Sequence, residues 1–172
     1  MKYHRKLSQG ESNTVIVLSE TVVGKLFTRN TRSEIGSESQ KMQEANKINN
    51  LVVNFVRLDF DEQIQAEILV MERIYPIDFR AYEVDMRYLW MDVFEQDLKQ
   101  LHQSGFVHRD LRRPSNIGGL AFDNILLTNT GLRLIDVGIS ALKKQVGDRI
   151  FEKYVEIEIA EMAEFKNYFI NR

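Results

Sequence analysis

Apolar positions recur with two distinct periods along the chain. The β-branched runs at 14–18 (Thr-Val-Ile-Val-Leu) and 21–27 (Thr-Val-Val-Gly-Lys-Leu-Phe), with Ser19-Glu20 between them, predict a tight antiparallel hairpin. From Ser33 to about Asn50 the spacing turns helical. Ile35, Met42, Ala45 and Ile48 line one side, and Ser33 fits the N-cap. Two further strands are predicted at 51–58 and 65–71, and Pro76 ends the second run. The clearest helix covers 84–104, where Leu89, Trp90, Val93, Phe94, Leu98 and Leu101 recur at three- and four-residue spacing and Gly105 takes the C′ place. Asn124–Thr128 and Leu132–Asp136 flank an Asn129-Thr130-Gly131 turn and predict a second hairpin. A linker through Gly147 then leads to one long helix from Asp148 to about Ile170. Its apolar face carries Ile150, Phe151, Tyr154, Val155, Met162 and Phe169. These strands and helices are expected to form an α+β fold.

Composition narrows the classes. A chain of 172 residues is long enough for one domain with a real core and short for two. A formal net charge of −2 and the absence of a basic stripe argue against a nucleic-acid partner. With no cysteine, a disulfide framework and a thiolate metal site are both excluded. The basic start, Met1 to Lys6, is not followed by an apolar stretch, so no signal peptide is expected. No apolar run approaches the length of a membrane span, and the expected location is the cytoplasm.

The candidate chemistry lies in two short motifs. His108-Arg109-Asp110-Leu111 follows the 84–104 helix and its glycine break, which places it on a loop. Leu134-Ile135-Asp136-Val137-Gly138 is an apolar strand ending in an acid and a glycine. A strand-end carboxylate can hold Mg²⁺ against nucleotide phosphates, and a loop aspartate can accept the proton of an attacking hydroxyl. In this order, with a hairpin between them, the two motifs resemble the protein-kinase superfamily. Val22-Val23-Gly24-Lys25 is similar to the kinase strand whose lysine contacts the α/β-phosphates. Ser8, Gly10, Asn13 and Val15 fall on the G-x-G-x-x-G-x-V places of the phosphate-covering loop, with two glycines missing.

The resemblance implies the rest of a site. Lys25 would pair with a glutamate of the following helix. Glu38 and Glu44 compete for that role, and Glu44 is favoured because Ile48 and Leu51 follow it at i+4 and i+7. Met71 would lie behind an adenine whose edge bonds the Glu72 carbonyl and the Ile74 amide and carbonyl. Asp110 would be the base for a hydroxyl acceptor, and Arg112, at the usual lysine position, would bond a γ-phosphate oxygen. Asp136 would hold Mg²⁺ with an asparagine: Asn124, at the hairpin entrance, is favoured over Asn116. Arg109 is expected to satisfy local carbonyls or a carboxylate. The implied fold is two-lobed, with an antiparallel-sheet lobe at 1–72, a hinge at 73–75 and a reduced helical lobe at 76–172.

After Gly138 no A-P-E signature follows, so the likeness is to small atypical kinases: the Rio and Bud types, the lipopolysaccharide-core kinases and bacterial minimal kinases. The activity implied is ATP-dependent phosphoryl transfer to a hydroxyl on a protein or small molecule. The alternative is a kinase-like module of weak activity that works through protein contacts.

Overall fold

The computed structural model describes residues 5–9, 13–27, 35–62, 65–114 and 120–172, with side chains at 14–27, 37–62, 65–114 and 120–172. It is an α+β fold. Strands β1 (Arg5–Gln9), β2 (Asn13–Val17), β3 (Val22–Phe27), β4 (Phe55–Asp61) and β5 (Ala66–Glu72) form an antiparallel sheet in the order β1-β2-β3-β5-β4. Helix α1 (Ile35–Asn46) crosses between β3 and β4. The C-terminal half holds α2 (Val84–Gln103), the two-residue strand β6 (Phe106–Val107), the hairpin β7 (Ile125–Thr128) and β8 (Gly131–Leu134), then β9 (Ala141–Leu142), α3 (Lys143–Val146) and α4 (Asp148–Asn171).

The predicted 14–18/21–27 hairpin is present as β2–β3, with Val15 opposite Lys25 and Val17 opposite Val23. Gly24 is required there by crowding, since a Cβ would come within 2.7 Å of the Ile68 side chain. The strand predicted from residue 51 begins only at Phe55. Leu51, Val52 and Val53 are buried against the second hairpin instead, with the Val53 amide donating to the Leu134 carbonyl at 2.9 Å and the Leu134 amide to Leu51 at 2.7 Å. Three consecutive buried apolar residues carry no alternation to show which backbone they pair with.

The helix faces differ from the predicted stripes in one consistent way. On α2 the buried positions are Arg87, Met91, Phe94, Leu98 and Leu101, while Leu89 and Val93 are exposed at 59% and 55%. On α4 they are Phe151, Glu158, Phe165, Phe169 and Ile170, and Ile150 is exposed. A 3.6-residue period admits several apolar stripes on one helix, and packing selects among them. Arg87 is buried because its guanidinium donates to the carbonyls of Phe169, Ile170 and Arg172 at the α4 C-terminus, where the helix dipole favours a cation. One continuous core joins the halves: Met42 and Ala45 of α1, Leu69 of β5, Met91, Phe94 and Leu98 of α2, Leu134 of β8, and Phe165 and Phe169 of α4.

Candidate functional site

β3 turns Lys25 to the same face as Val15 and Leu69, its partners across the sheet. Lys25 is only 4% exposed, and a lysine this buried needs anionic partners. It has two: Nζ lies 2.8 Å from Glu38 Oε1 and 2.8 Å from Asp136 Oδ1. Burial works against its charge, but Asp136 and then Glu38 outweigh it and hold the ammonium above the ordinary lysine range. Asp136 is also pushed up by burial, yet the adjacent Lys25 holds its carboxyl below the usual value. Glu38 is raised, because burial exceeds the pull of Lys25. Its second oxygen, Oε2, has no hydrogen-bond partner among the described residues.

The pairing of Lys25 with Glu44 is therefore corrected to Glu38. Glu44 projects from the opposite side of α1 and bonds Lys47 at 3.0 Å and Lys144 at 3.3 Å. The argument from spacing picked the wrong anchors: Ile48 is exposed and Leu51 lies beyond the helix end at Asn46. Counted from the residues that are buried, Met42 and Ala45, the position at i−4 and i−7 is Glu38. One turn away, Lys41 donates to the Gly138 carbonyl at 2.9 Å and ties α1 to the turn after Asp136.

Asp110 and Asn124 come together from separate segments. Asn124 Nδ2 donates to the Asp110 carbonyl and to Asp110 Oδ2, both at 2.9 Å, and its own Oδ1 has no hydrogen-bond partner among the described residues. Burial raises the Asp110 carboxyl; His108 lowers it, and Asp136 adds to the rise. Arg109 and Asp136 have φ of +70° and +59°, left-handed values that cost a non-glycine residue on the order of 1 kcal/mol or more. The surroundings hold both in place. His108, fully buried, bonds the Ile135 carbonyl through Nε2 at 2.9 Å, and the Ser140 hydroxyl donates to the His108 carbonyl at 3.0 Å. The Arg109 amide donates to Glu158, and its guanidinium to the Ile139 carbonyl at 2.9 Å. Arg109 thus serves local carbonyls, as expected from the sequence.

Other predicted positions are more dispersed. Val23 is buried and lies opposite Met71, one step from Lys25 on the same sheet face, with Val15 beside them. Ile74 packs against the core, and its amide and carbonyl make no main-chain hydrogen bond among the described residues. The Glu72 side chain bonds Arg133 Nη2 at 2.7 Å and Asn54 Nδ2 at 2.8 Å, fastening β5 to β8. The Arg112 Nε lies 2.8 Å from Glu164 on α4 in an exposed ion pair. Gly10 and Asn116 lie outside the described residues. A cavity of about 420 Å³ opens away from this cluster, between the C-terminal end of α1, residues 103–106 and residues 142–148.

Two residues around the loop carried no sequence signal. Lys41 and Glu158 fit any solvated helix face, and only packing gives them partners. No group of three or more His, Cys, Asp or Glu suited to a metal ion occurs among the described residues, and no helix there is long and apolar enough to cross a membrane. Neither a family model nor a curated protein matches the chain.

Proposed function

We propose that the chain is an ATP-dependent phosphotransferase of the kinase-like, two-lobed kind, acting on a hydroxyl of a protein or small molecule. The observation that carries this reading is the convergence of Lys25 on Glu38 and Asp136 at 2.8 Å each, with the Asp110–Asn124 pair presented by the adjoining loop. An antiparallel sheet with one helix precedes residue 73 and a mostly helical half follows it, which agrees with a hinge at 73–75.

The donor set suits Mg²⁺. Asp136 is anionic and its side chain half-exposed, and Asn124 has its amide nitrogen committed while its oxygen has no partner among the described residues. Two hard oxygen donors completed by phosphates and water are typical of this ion, which would neutralise phosphate charge when bound. Lys25, pinned by Glu38, would neutralise the α/β-phosphates. Asp110 would take the proton of the acceptor hydroxyl as its oxygen bonds the γ-phosphorus and the bond to the β-phosphate oxygen breaks, leaving a nucleoside diphosphate. Val23 and Met71 would floor a base pocket, and Ile74 offers main-chain donor and acceptor at its edge.

The test is a thermal-shift series with ATP, GTP and Mg²⁺, followed by mass spectrometry for phosphate on the protein. Asp110→Asn should leave nucleotide affinity within about threefold and reduce transfer by ~10²–10⁴. Near-wild-type transfer in that variant would remove the role. A second reading, a nucleotide-binding module of weak activity, is favoured by the Arg112–Glu164 pair, which takes the candidate γ-phosphate contact away from the loop. Binding without turnover would select it.

A further inference from the structure

Strand β4 is the outermost strand of the five-stranded sheet, and among the described residues no strand pairs with its far edge. Such an edge offers a row of N–H and C=O groups to any strand that can approach it. Proteins usually blunt an edge with a proline, an unpaired charge or a very short strand. β4 is seven residues long and holds no proline, and its central charges offset each other: Arg57 and Asp59 pair along the strand at 2.9 Å. A bulge between Phe55 and Arg57 disturbs only its start.

The side chains of β4 divide by face. Leu58 lies opposite Leu69 of β5 and Phe60 opposite Glu67, so these two share one face. Arg57 and Asp59, opposite Val70 and Ile68, share the other. Leu58 and Phe60 are 43% and 56% exposed, and Val56, at the bulge, is exposed as well. One exposed apolar side chain is ordinary, whereas three along a single edge strand form a patch suited to a partner.

We infer that β4 pairs antiparallel with β4 of a second copy of this chain, about a two-fold axis through Leu58. Charge complementarity selects both the occupant and the register. With Leu58 opposite Leu58 of the second copy, Arg57 faces Asp59 of the second copy and Asp59 faces its Arg57, while Phe60 faces its Val56. Opposite charges then meet on one face and apolar side chains on the other. Centring the pair on Arg57 or on Asp59 sets like charges against each other. A slip of one residue sets apolar side chains against charged ones. The contact uses the same strand of both copies, so it closes as a dimer and leaves no further β4 edge to extend it. Lys25 lies on β3, separated from β4 by β5, and the inference does not rest on the phosphotransferase reading. One short strand from each copy buries less than a standard protein interface, so association should follow protein concentration.

Sedimentation velocity of the full chain across the micromolar range should show a monomer passing into a dimer as concentration rises. Leu58→Lys sets two ammonium groups against each other on the axis and should weaken the dimer at least ~10-fold. Arg57→Asp and Asp59→Arg should each stay monomeric where the wild type dimerises. An equimolar mixture of those two variants should dimerise again, because a strand with two carboxylates then meets a strand with two guanidinium groups. Far-UV circular dichroism confirms that each variant is folded. A wild type that stays monomeric throughout overturns the inference and leaves the edge to a strand of another protein. A dimer untouched by Leu58→Lys and by both charge variants lies on another surface and overturns it as well. Single variants that lose the dimer without recovery in the mixture reject the register, and the inference with it.

Discussion

A buried lysine with two carboxylate partners is energetically exposed to the loss of any one of them. Lys25 is 4% exposed and Glu38 1%, so removing the ammonium leaves a carboxylate with no water and one oxygen already unpartnered. Lys25→Met should therefore cost about 3–5 kcal/mol of stability, the range for breaking a buried pair. Lys25→Met combined with Glu38→Leu should recover most of that loss, because no charge is then stranded and Asp136 is half-exposed. Denaturant midpoints of the two single variants and the double variant measure it. A double variant as unstable as the sum of the singles would show that the pair is not coupled. In the same series Glu44→Gln should leave both stability and any phosphate transfer close to wild type, since Glu44 bonds two exposed lysines, Lys47 and Lys144.

Elements settle which face of an apolar helix counts. Met91 is fully buried and Leu89 is 59% exposed, two positions apart on α2. Met91→Ala should destabilise by about 2–5 kcal/mol, while Leu89→Ala should fall within about 0.5 kcal/mol of wild type. Equal losses at the two sites would contradict the helix orientation. α4 repeats the lesson with polar residues. Glu158 sits in a stripe with Phe151 and Phe165, at a position that reads as solvated from charge alone. Its burial is explained by what it meets: an imidazole and a backbone amide whose left-handed residue leaves the N–H pointing at the helix.

At the scale of the whole molecule, several carboxyls titrate in the same direction. Glu38, Asp97, Asp110 and Glu161 are all raised, chiefly by burial, and Glu161 reaches about 7 from an ordinary 4.5. A group with a raised pKa binds more protons folded than unfolded between its two values. Stability is therefore present below the ordinary value and is lost as pH rises through the folded one. Asp136 is depressed and acts in reverse, contributing above its ordinary value and losing that contribution as pH falls through the folded one. The melting temperature, taken at constant ionic strength, should decline from pH 5 to 7, and Glu161→Gln should flatten the slope. A melting temperature that rises steadily over this interval would contradict the burial of these groups.

The chain itself determined the order of elements. The 2-period of Val15 to Phe27, the glycine after α2 and the turn residues between β7 and β8 act over a few neighbours, and local backbone preference is enough to place them. It also determined that a loop aspartate and a strand-end aspartate would follow α2 in sequence. Which of two glutamates reaches Lys25, whether Arg112 faces the loop or α4, and which apolar stripe of α2 is buried were decided by tertiary structure. Residues such as Glu38 and Glu44 share one helix and nearly one local context. They differ only in what packs against them: Lys25 and Asp136 on one side, solvated lysines on the other. Burial is a property of the neighbouring element, and it turned one glutamate into the partner of a buried lysine and left the other on the surface.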